Sequence, residues 1–339
     1  MTQRAIILLI ITSAAGLLSS SNKPVWTSQR NVYDVLWAAG VEKPGHWIDF
    51  NEKMVKRGEE IVKTGRTTGP GGLKSQYVSQ YYTCLACHNI EQEDPDLRES
   101  NPDTRLPYVK EKDIPFLQGT TFKGIVNRES WYNDDYLKKY GEEMVQKAHN
   151  SLRESIQLCA EQCSQGRKMK PWELDAVLAY FWSLQYNLED LGFTEKDYEK
   201  LAMLEKNPKE TKEELVQWIR SFYSQKSPAH FFDAPDDLDK GYSMKGNADT
   251  GETIYDQSCM HCHSSNNVTR FIIDEEKTNF NFLKNNMVNK DSGFSLYHII
   301  PYGTYATPEH KPYMPLYPLE RMSKQQVEDL RAYIEKMAQ

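Results

Sequence analysis

The sequence lacks an excess of positive charge, and it lacks a long apolar run beyond its N-terminus. Its formal net charge is −7, and its lysines and arginines are scattered rather than clustered. Nucleic-acid binding needs a concentrated basic face, so we expect no nucleic-acid partner. No later stretch is apolar enough to cross a bilayer, so we expect no transmembrane span in the mature chain. The acidic balance would attract basic protein partners by electrostatic steering.

The N-terminus has the pattern of a secretory signal, which we predict over residues 1–21. A short positive segment, Met1 to Arg4, precedes an apolar stretch, and Ser19, Ser20 and Ser21 supply the small residues typical of a cleavage site. No cysteine lies near that site, which argues against a lipoprotein anchor. An uncleaved anchor is the alternative. The pattern predicts export and a periplasmic location.

Cysteine is scarce, and most of it belongs to one repeated pattern. Four of the six cysteines stand in two copies of Cys-x-x-Cys-His. This pattern is typical of c-type haem attachment, in which both thiols form thioethers with the haem and the histidine binds the iron. We therefore predict two covalently bound haem c groups. The residues that would hold them are Cys84, Cys87 and His88 in the first copy and Cys259, Cys262 and His263 in the second.

Each motif lies in a stretch that resembles a small helical cytochrome c domain. We predict a mainly α fold with two such domains, at residues 22–188 and 244–339, joined by a partly helical linker at 189–243. In the second domain, an entry helix covers residues 246–258 and a closing helix covers 323–337. Ser323 and Gln326 are spaced for a capping box at the start of the closing helix. Residues 301–303 and 308–318 are predicted to be irregular.

The first domain repeats this order with insertions. An entry helix at 54–64 precedes the motif, and a closing helix at 171–184 begins with proline, which suits the first helical position. Between them we predict an acidic surface loop at 91–107 and a helical run at 134–149. The linker contains leucines and aromatic residues at helical spacing, which favours ordered amphipathic helices over a disordered tether.

The second iron ligand of each haem is less directly encoded. A methionine thioether often fills this position in electron carriers and raises the reduction potential. Met314, followed by Pro315 shortly before the closing helix, resembles the Met-Pro loop of class I cytochromes c and is our prediction for the second haem. We interpret His261, inside the motif, as a solvent-facing spacer. The weaker candidates for this ligand are Met322, His298 and His310.

For the first haem, a methionine and two further cysteines compete. Met169 stands where a methionine ligand is expected, and Cys159 and Cys163 lie just before it. On a regular helix their Cβ atoms would be about 5–6 Å apart, whereas a disulfide needs about 3.5–4.5 Å. Three interpretations are open: Cys159 binds the iron, the two cysteines form a disulfide in a loop or broken turn, or both are buried thiols. In the last two, Met169 becomes the ligand.

The segment around these cysteines resembles the first domain of thiosulfate dehydrogenases and, more loosely, the haem subunit of the thiosulfate-oxidising multienzyme system. In those families an Ile-Asn-x-Cys segment places a cysteine thiolate on the iron, and a Gly-Arg or Gly-Lys pair follows. Ile156 and Cys159 match the first element, and Gly166 and Arg167 match the second. The resemblance implies that Cys159 is an iron ligand. It also implies that Cys159 and Arg167 are catalytic residues if the protein is an enzyme.

Two arginines of that family pattern are missing, because Ser155 and Gln162 occupy their places. Thiosulfate is a dianion, so its site should present positive groups. The basic residues that would have to substitute are Arg128, Arg153, Lys123, Arg167 and Lys168.

These observations favour an exported dihaem cytochrome that transfers electrons between redox protein partners, a donor and a respiratory acceptor. A thiolate would lower the potential of the first haem, so electrons would run from the first haem to the second. The alternative is a thiosulfate dehydrogenase-like enzyme that oxidises thiosulfate or another small sulfur anion at the first haem. A dihaem peroxidase is disfavoured because the Thr-Pro-x-Leu-Arg-Asn segment of that family is missing after the second motif.

Overall fold

The computed structural model describes residues 29–264, 268–273, 279–288, 294–304 and 311–338. Over these residues the fold is mainly α, as predicted, with no β-strand. The described part contains no helix that is both long and apolar enough to cross a membrane. The predicted signal peptide lies outside the described residues. The α-helices are α1 (Val32–Ala38), α2 (Glu52–Thr64), α3 (Pro102–Lys112), α4 (Glu142–His149), α5 (Leu152–Leu158), α6 (Pro171–Ser183), α7 (Glu195–Leu204), α8 (Pro208–Arg220), α9 (Ala248–Ile254), α10 (Phe280–Leu283), α11 (Leu296–Tyr302) and α12 (Lys324–Met337).

The first unit is built on the crossing of α2, the predicted entry helix, with α6, the predicted closing helix. Asn51 caps α2 by accepting a hydrogen bond from the backbone N–H of Met54. The two helices touch at Gly58. A Cβ atom there would overlap the carbonyl group of Ala176, 2.6 Å from its carbon, and would lie 2.8 Å from Cβ of Tyr180. Only glycine lets the two backbones approach this closely.

The second unit repeats this crossing with α9 and α12. A Cβ atom at Gly251 would overlap the carbonyl group of Asp329, 2.6 Å from its carbon, and would lie 2.8 Å from Cβ of Tyr333. In both units the contact is a glycine against a backbone carbonyl, with a tyrosine one helical turn later. The predicted capping box of Ser323 and Gln326 is present at the start of α12.

The linker packs onto the first unit. Helices α7 and α8 place Leu201, Leu204, Leu215 and Ile219 in the same buried cluster as the residues of α1 and α6. The prediction of short amphipathic helices is confirmed here. Burial of their apolar faces explains why this charged segment is ordered.

Three local predictions were wrong. The run 134–149 is two pieces, a 3₁₀-helix Asp134–Lys138 and then α4, because Gly141 sits between them in an extended conformation. The acidic stretch 91–107 is not simply a surface loop, since α3 begins inside it and Glu93 is buried. Pro301 and Tyr302 belong to α11, which ends at Gly303, so the proline removes only one hydrogen bond from its last turn.

Charged residues are buried between the two units. The guanidinium of Arg321 contacts both carboxylate oxygens of Glu93 at 2.5 and 3.0 Å, and both side chains are almost fully buried. Arg105 donates to the backbone carbonyl of Glu320 at 2.7 Å and forms an ion pair with Asp94. The two units therefore meet through a network of paired buried charges, which fixes their relative position.

Candidate haem-attachment sites

The first motif borders a large cavity. Its residues form a 3₁₀ turn, Cys84–Ala86, that leads directly into Cys87 and His88. Cys84, Cys87 and His88 all line a cavity with about 1480 Å³ of empty space, open solvent included. The motif thus presents both thiols and the imidazole to one cavity.

The imidazole of His88 is held in the tautomer that leaves Nε2 available as a ligand. Its Nδ1 lies 2.6 Å from the backbone carbonyl of Thr120, which can only accept, so Nδ1 carries the proton and Nε2 has a free lone pair. The ring stacks on Phe122 with a centroid distance of 4.5 Å. Burial lowers the pKa of His88, which keeps the ring neutral. A Cβ atom at Gly119 would lie 2.5 Å from Cε1 of His88, so glycine is needed beside the ring.

Both residues predicted as the second ligand of the first haem, Cys159 and Met169, line the same cavity, as does Cys163. The backbone at Met169 is held by Gln157, whose side-chain amide accepts from its N–H at 2.8 Å and donates to its carbonyl at 3.0 Å. The two cysteines begin and end a π-helical turn. Cys159 and Met169 therefore both stay predictions for the first haem.

No disulfide joins Cys159 to Cys163, both of which lie in the described part of the chain. Sγ of Cys163 is 3.2 Å from the hydroxyl of Tyr140 and 3.6 Å from that of Tyr132. A hydrogen bond with the Cys159 thiol outweighs burial and, with the bonds to the tyrosines, lowers the pKa of Cys163 to about 7. A group of hydroxyls and thiols thus forms part of the cavity wall.

Arg167, predicted as catalytic in the enzyme interpretation, does not line this cavity. Its guanidinium donates to both carboxylate oxygens of Glu173 at 2.8 and 2.7 Å and to the carbonyls of Tyr77 and Gln76. These bonds tie the loop before α6 to the segment before the first motif. Its role in the structure is to hold two loops together.

Two of the other predicted substitutes for a thiosulfate site are paired with carboxylates. Arg153 pairs with Asp175 at 2.7 Å, and Lys123 pairs with Asp190 at 2.7 Å. Of the five basic residues considered from the sequence, all within the described residues, Arg128 is the one that lines the first cavity. Arg321 also lines the cavity, but its charge is paired with that of Glu93, so the cavity does not present the concentrated positive charge that a dianion would need.

The second motif borders its own cavity, with about 1730 Å³ of empty space, open solvent included. A π-helical turn, Tyr255–Cys259, continues α9 into the motif. Cys259, Cys262 and His263 line this cavity together with Met314, the methionine predicted from the sequence. Met287 also lines it and was not singled out from the sequence. Nothing in its local pattern distinguishes Met287 from a core residue.

Two hydrogen bonds with Thr304 hold the backbone of Met314 in place. Its N–H donates to Oγ1 of Thr304 at 2.8 Å, and its carbonyl accepts from the N–H of Thr304 at 3.0 Å. Gly303 adopts a φ of +66°, and a Cβ atom there would overlap the Met314 carbonyl. This pairing fixes the short irregular segment that carries the thioether.

Two of the weaker candidates for this position, Met322 and His298, do not line the cavity. Met322 is fully buried in the core of the second unit and is not among the residues that line the cavity. Nδ1 of His298 is 2.7 Å from the hydroxyl of Ser295. His310 lies outside the described residues.

Comparison with known families identifies the second unit. Residues 246–334 match the family model described as cytochrome c oxidase, cbb3-type, subunit III. The chain contains a cytochrome c domain. Comparison with curated proteins and with solved structures gave no match. The match does not extend to the first unit, so its resemblance to thiosulfate dehydrogenases stays a prediction.

The cytochrome c domain contacts the first unit through its own motif. Nε2 of His261 lies 2.9 Å from the backbone carbonyl of Leu85, and the side chain is only partly exposed. The prediction that His261 faces solvent was wrong, because the first motif packs against it. The two cavities also share wall residues: Tyr82, Gln118, Tyr313 and Pro315.

Proposed function

We propose that this protein is an exported, periplasmic cytochrome that holds two covalently bound haem c groups and transfers electrons between a redox protein donor and a respiratory acceptor. Haem c supplies reversible one-electron chemistry at its iron when bound. The observation that carries the proposal is the first site, where Thr120 fixes the tautomer of His88 beside Cys84 and Cys87. This arrangement, outside the matched cytochrome c domain, supports a second haem.

The repeated helix crossing gives independent support for a second haem domain. The contact of Gly58 with Ala176 and Tyr180 has the same form as that of Gly251 with Asp329 and Tyr333. The second of these lies within the matched cytochrome c domain. Two stretches with the same motif and the same helix contact are best explained as two copies of one kind of domain.

The proposed roles of the individual residues are as follows. His88 and His263 bind iron, and the four motif cysteines hold the cofactors in place. Met314, held by Thr304, is the second ligand of the haem in the cytochrome c domain and would raise its potential. Cys159 is our proposed ligand at the first site and would lower its potential, and Met169 is the alternative. Apolar and aromatic side chains make up much of the wall of both cavities.

Surface charge supports protein partners rather than a small substrate. The net charge of −7 would steer basic redox proteins to the surface. At the first site the thiosulfate-oxidising alternative finds little support, because Arg167, Arg153 and Lys123 are paired with carboxylates. Electron transfer without substrate chemistry needs no such anion site.

Haem counting tests the proposal directly. The intact mass of the purified, denatured holoprotein should exceed the chain mass by two haems. Cys87→Ala and Cys262→Ala should each lose one covalent haem, whereas Cys163→Ala is the matched control and should keep both. A wild-type protein with one haem, or a Cys87→Ala variant with undiminished covalent attachment, would rule out the two-haem proposal.

Electron transfer itself is tested by potentiometry. An anaerobic titration of the wild type should show two reversible one-electron steps, and Met314→Ala should lower the potential of one of them. An unchanged potential and spectrum in Met314→Ala would remove that ligand assignment. Reduction by a basic small redox protein should slow as the salt concentration rises, because screening weakens steering.

A further inference from the structure

The two haem-attachment segments touch each other. Nε2 of His261 is 2.9 Å from the carbonyl oxygen of Leu85, and Sγ of Cys262 is 3.9 Å from the carbonyl oxygen of Ala86. All four residues lie inside the two Cys-x-x-Cys-His motifs. The contact therefore joins the spacer of one motif to the spacer of the other, next to the thiols that would hold both haems.

The carbonyl of Leu85 needs a hydrogen-bond donor from outside its own turn. In the turn of the first motif, the carbonyl of Cys84 accepts from the N–H groups of both Cys87 and His88. The carbonyl of Leu85 is directed to the other unit, where the His261 imidazole supplies the proton. A carbonyl accepts only, so Nε2 is the protonated nitrogen in this bond. A partly buried carbonyl without this donor would lose a hydrogen bond that water replaces poorly.

Neighbouring contacts hold the same surfaces together. The backbone N–H of Arg270 donates to the carbonyl of Tyr81 at 2.8 Å, and its guanidinium donates to the carbonyls of Ser79 and Thr64. The ring of Phe271 packs edge-on against Tyr82 at 5.3 Å. The segment that leads into the first motif is thus covered by the chain that follows the second motif.

We infer that the motif contact is a fixed junction between the two haem sites, with His261 as its positioning residue, through which the oxidation state at one site influences the other. The inference rests on the proposed two-haem function. Its physical basis is that a change of charge in a poorly solvated region is weakly screened. Such an influence must be mutual, because coupling between two equilibria is reciprocal.

Low-temperature electron paramagnetic resonance of the ferric haems tests the junction. In the oxidised wild type, each low-spin signal should be broadened by the other paramagnetic site. Partial reduction that leaves one site ferric should sharpen the remaining signal. In His261→Ala this difference between oxidised and partly reduced samples should become smaller, because the motif contact loosens while the buried charge pairs still join the two units. His261→Gln, whose side-chain amide can donate to the same carbonyl, should restore it.

The control variant is Leu85→Met, which keeps the backbone carbonyl and should behave like the wild type. Intact mass on the same samples reports the haem count. If the wild type holds two haems but its signal widths do not differ between oxidised and partly reduced samples, the junction is overturned. The two-haem proposal would then still stand. The same conclusion holds if His261→Ala keeps the wild-type difference. A single haem in the wild type would overturn both.

Discussion

The hydroxyl of Tyr82 bonds to both backbone groups of Tyr313, a residue 231 positions later in the chain. It accepts a hydrogen bond from the Tyr313 N–H at 2.9 Å and donates to the Tyr313 carbonyl. Tyr82 stands just before the first motif, and Tyr313 directly precedes Met314. One buried side chain of the first unit therefore helps to fix the segment that carries the proposed ligand of the second haem.

Tyr82→Phe should weaken both stability and the second site. The change leaves a buried N–H and a buried carbonyl without their partner, and each such loss costs about 1–3 kcal/mol. We expect a lower free energy of unfolding in urea and an altered absorbance spectrum of the haem that Met314 would bind. Tyr81→Phe is the neighbouring control. A Tyr82→Phe protein with wild-type stability would show that water replaces the lost hydroxyl.

The two glycine contacts predict parallel defects in the two units. Gly58→Ala and Gly251→Ala would each push a Cβ atom into a backbone carbonyl at a helix crossing. Overpacking of this kind typically costs about 1–3 kcal/mol, and more where backbone cannot yield. Each variant should lower the melting temperature and reduce haem attachment in its own unit. Gly45→Ala is the matched control, since a Cβ atom there meets nothing within 4 Å.

Local sequence signals predicted the helices that form each unit. Pro171 starts α6, and Ser323 with Gln326 starts α12, because capping and the fixed φ of proline act within one turn of the chain. The two Cys-x-x-Cys-His motifs also predicted residues that line the cavities. The spacing of their cysteines and histidine is a local pattern that can be read directly from the sequence. The Met-Pro pattern likewise singled out Met314, which lines the second cavity.

Long-range pairing accounts for what the sequence did not reveal. Glu93 lies in an acidic stretch that resembles solvent-exposed chain, yet Arg321, 228 residues away, neutralises it in the interior. The prediction of a solvent-facing His261 failed because the acceptor of its hydrogen bond, the Leu85 carbonyl, belongs to the other motif. The sequence does not decide between Cys159 and Met169 as the ligand of the first haem. Both residues border the same cavity, so the choice depends on which sulfur atom binds the iron.

The buried pair of Glu93 and Arg321 should tolerate double replacement better than single replacement. Removing one partner leaves an uncompensated buried charge, which costs about 3–5 kcal/mol. Arg321→Met should therefore unfold at a markedly lower urea concentration than the wild type. The double variant Glu93→Met with Arg321→Met should recover much of this loss. Equal instability of the single and double variants would show that Arg321 acts through its bonds to the Leu117 carbonyl instead.

Low pH should remove the contribution of Glu93 to the free energy of unfolding. Burial alone would raise its pKa, but the charge and hydrogen bonds of Arg321 outweigh burial and lower it from 4.5 to about 2. A carboxylate with a lowered pKa in the folded state stabilises the protein above its unfolded pKa and loses that contribution as pH falls. The stability difference between wild type and Glu93→Gln should be constant above about pH 4.5 and shrink towards pH 2. The exposed neighbour Glu91 supplies the control, Glu91→Gln.

The ligand of the first haem can be decided by three single variants, Cys159→Ala, Cys163→Ala and Met169→Ala. A thiolate ligand gives low-spin ferric haem a narrow spread of g values, whereas a thioether ligand does not. If Cys159 binds the iron, Cys159→Ala alone should abolish the narrow signal and raise the potential of that site, because an anionic sulfur stabilises ferric iron. A wild type without the narrow signal, together with a changed spectrum only in Met169→Ala, would assign Met169. The same result would leave the Cys159 and Cys163 thiols, which share a hydrogen bond, outside the iron's coordination.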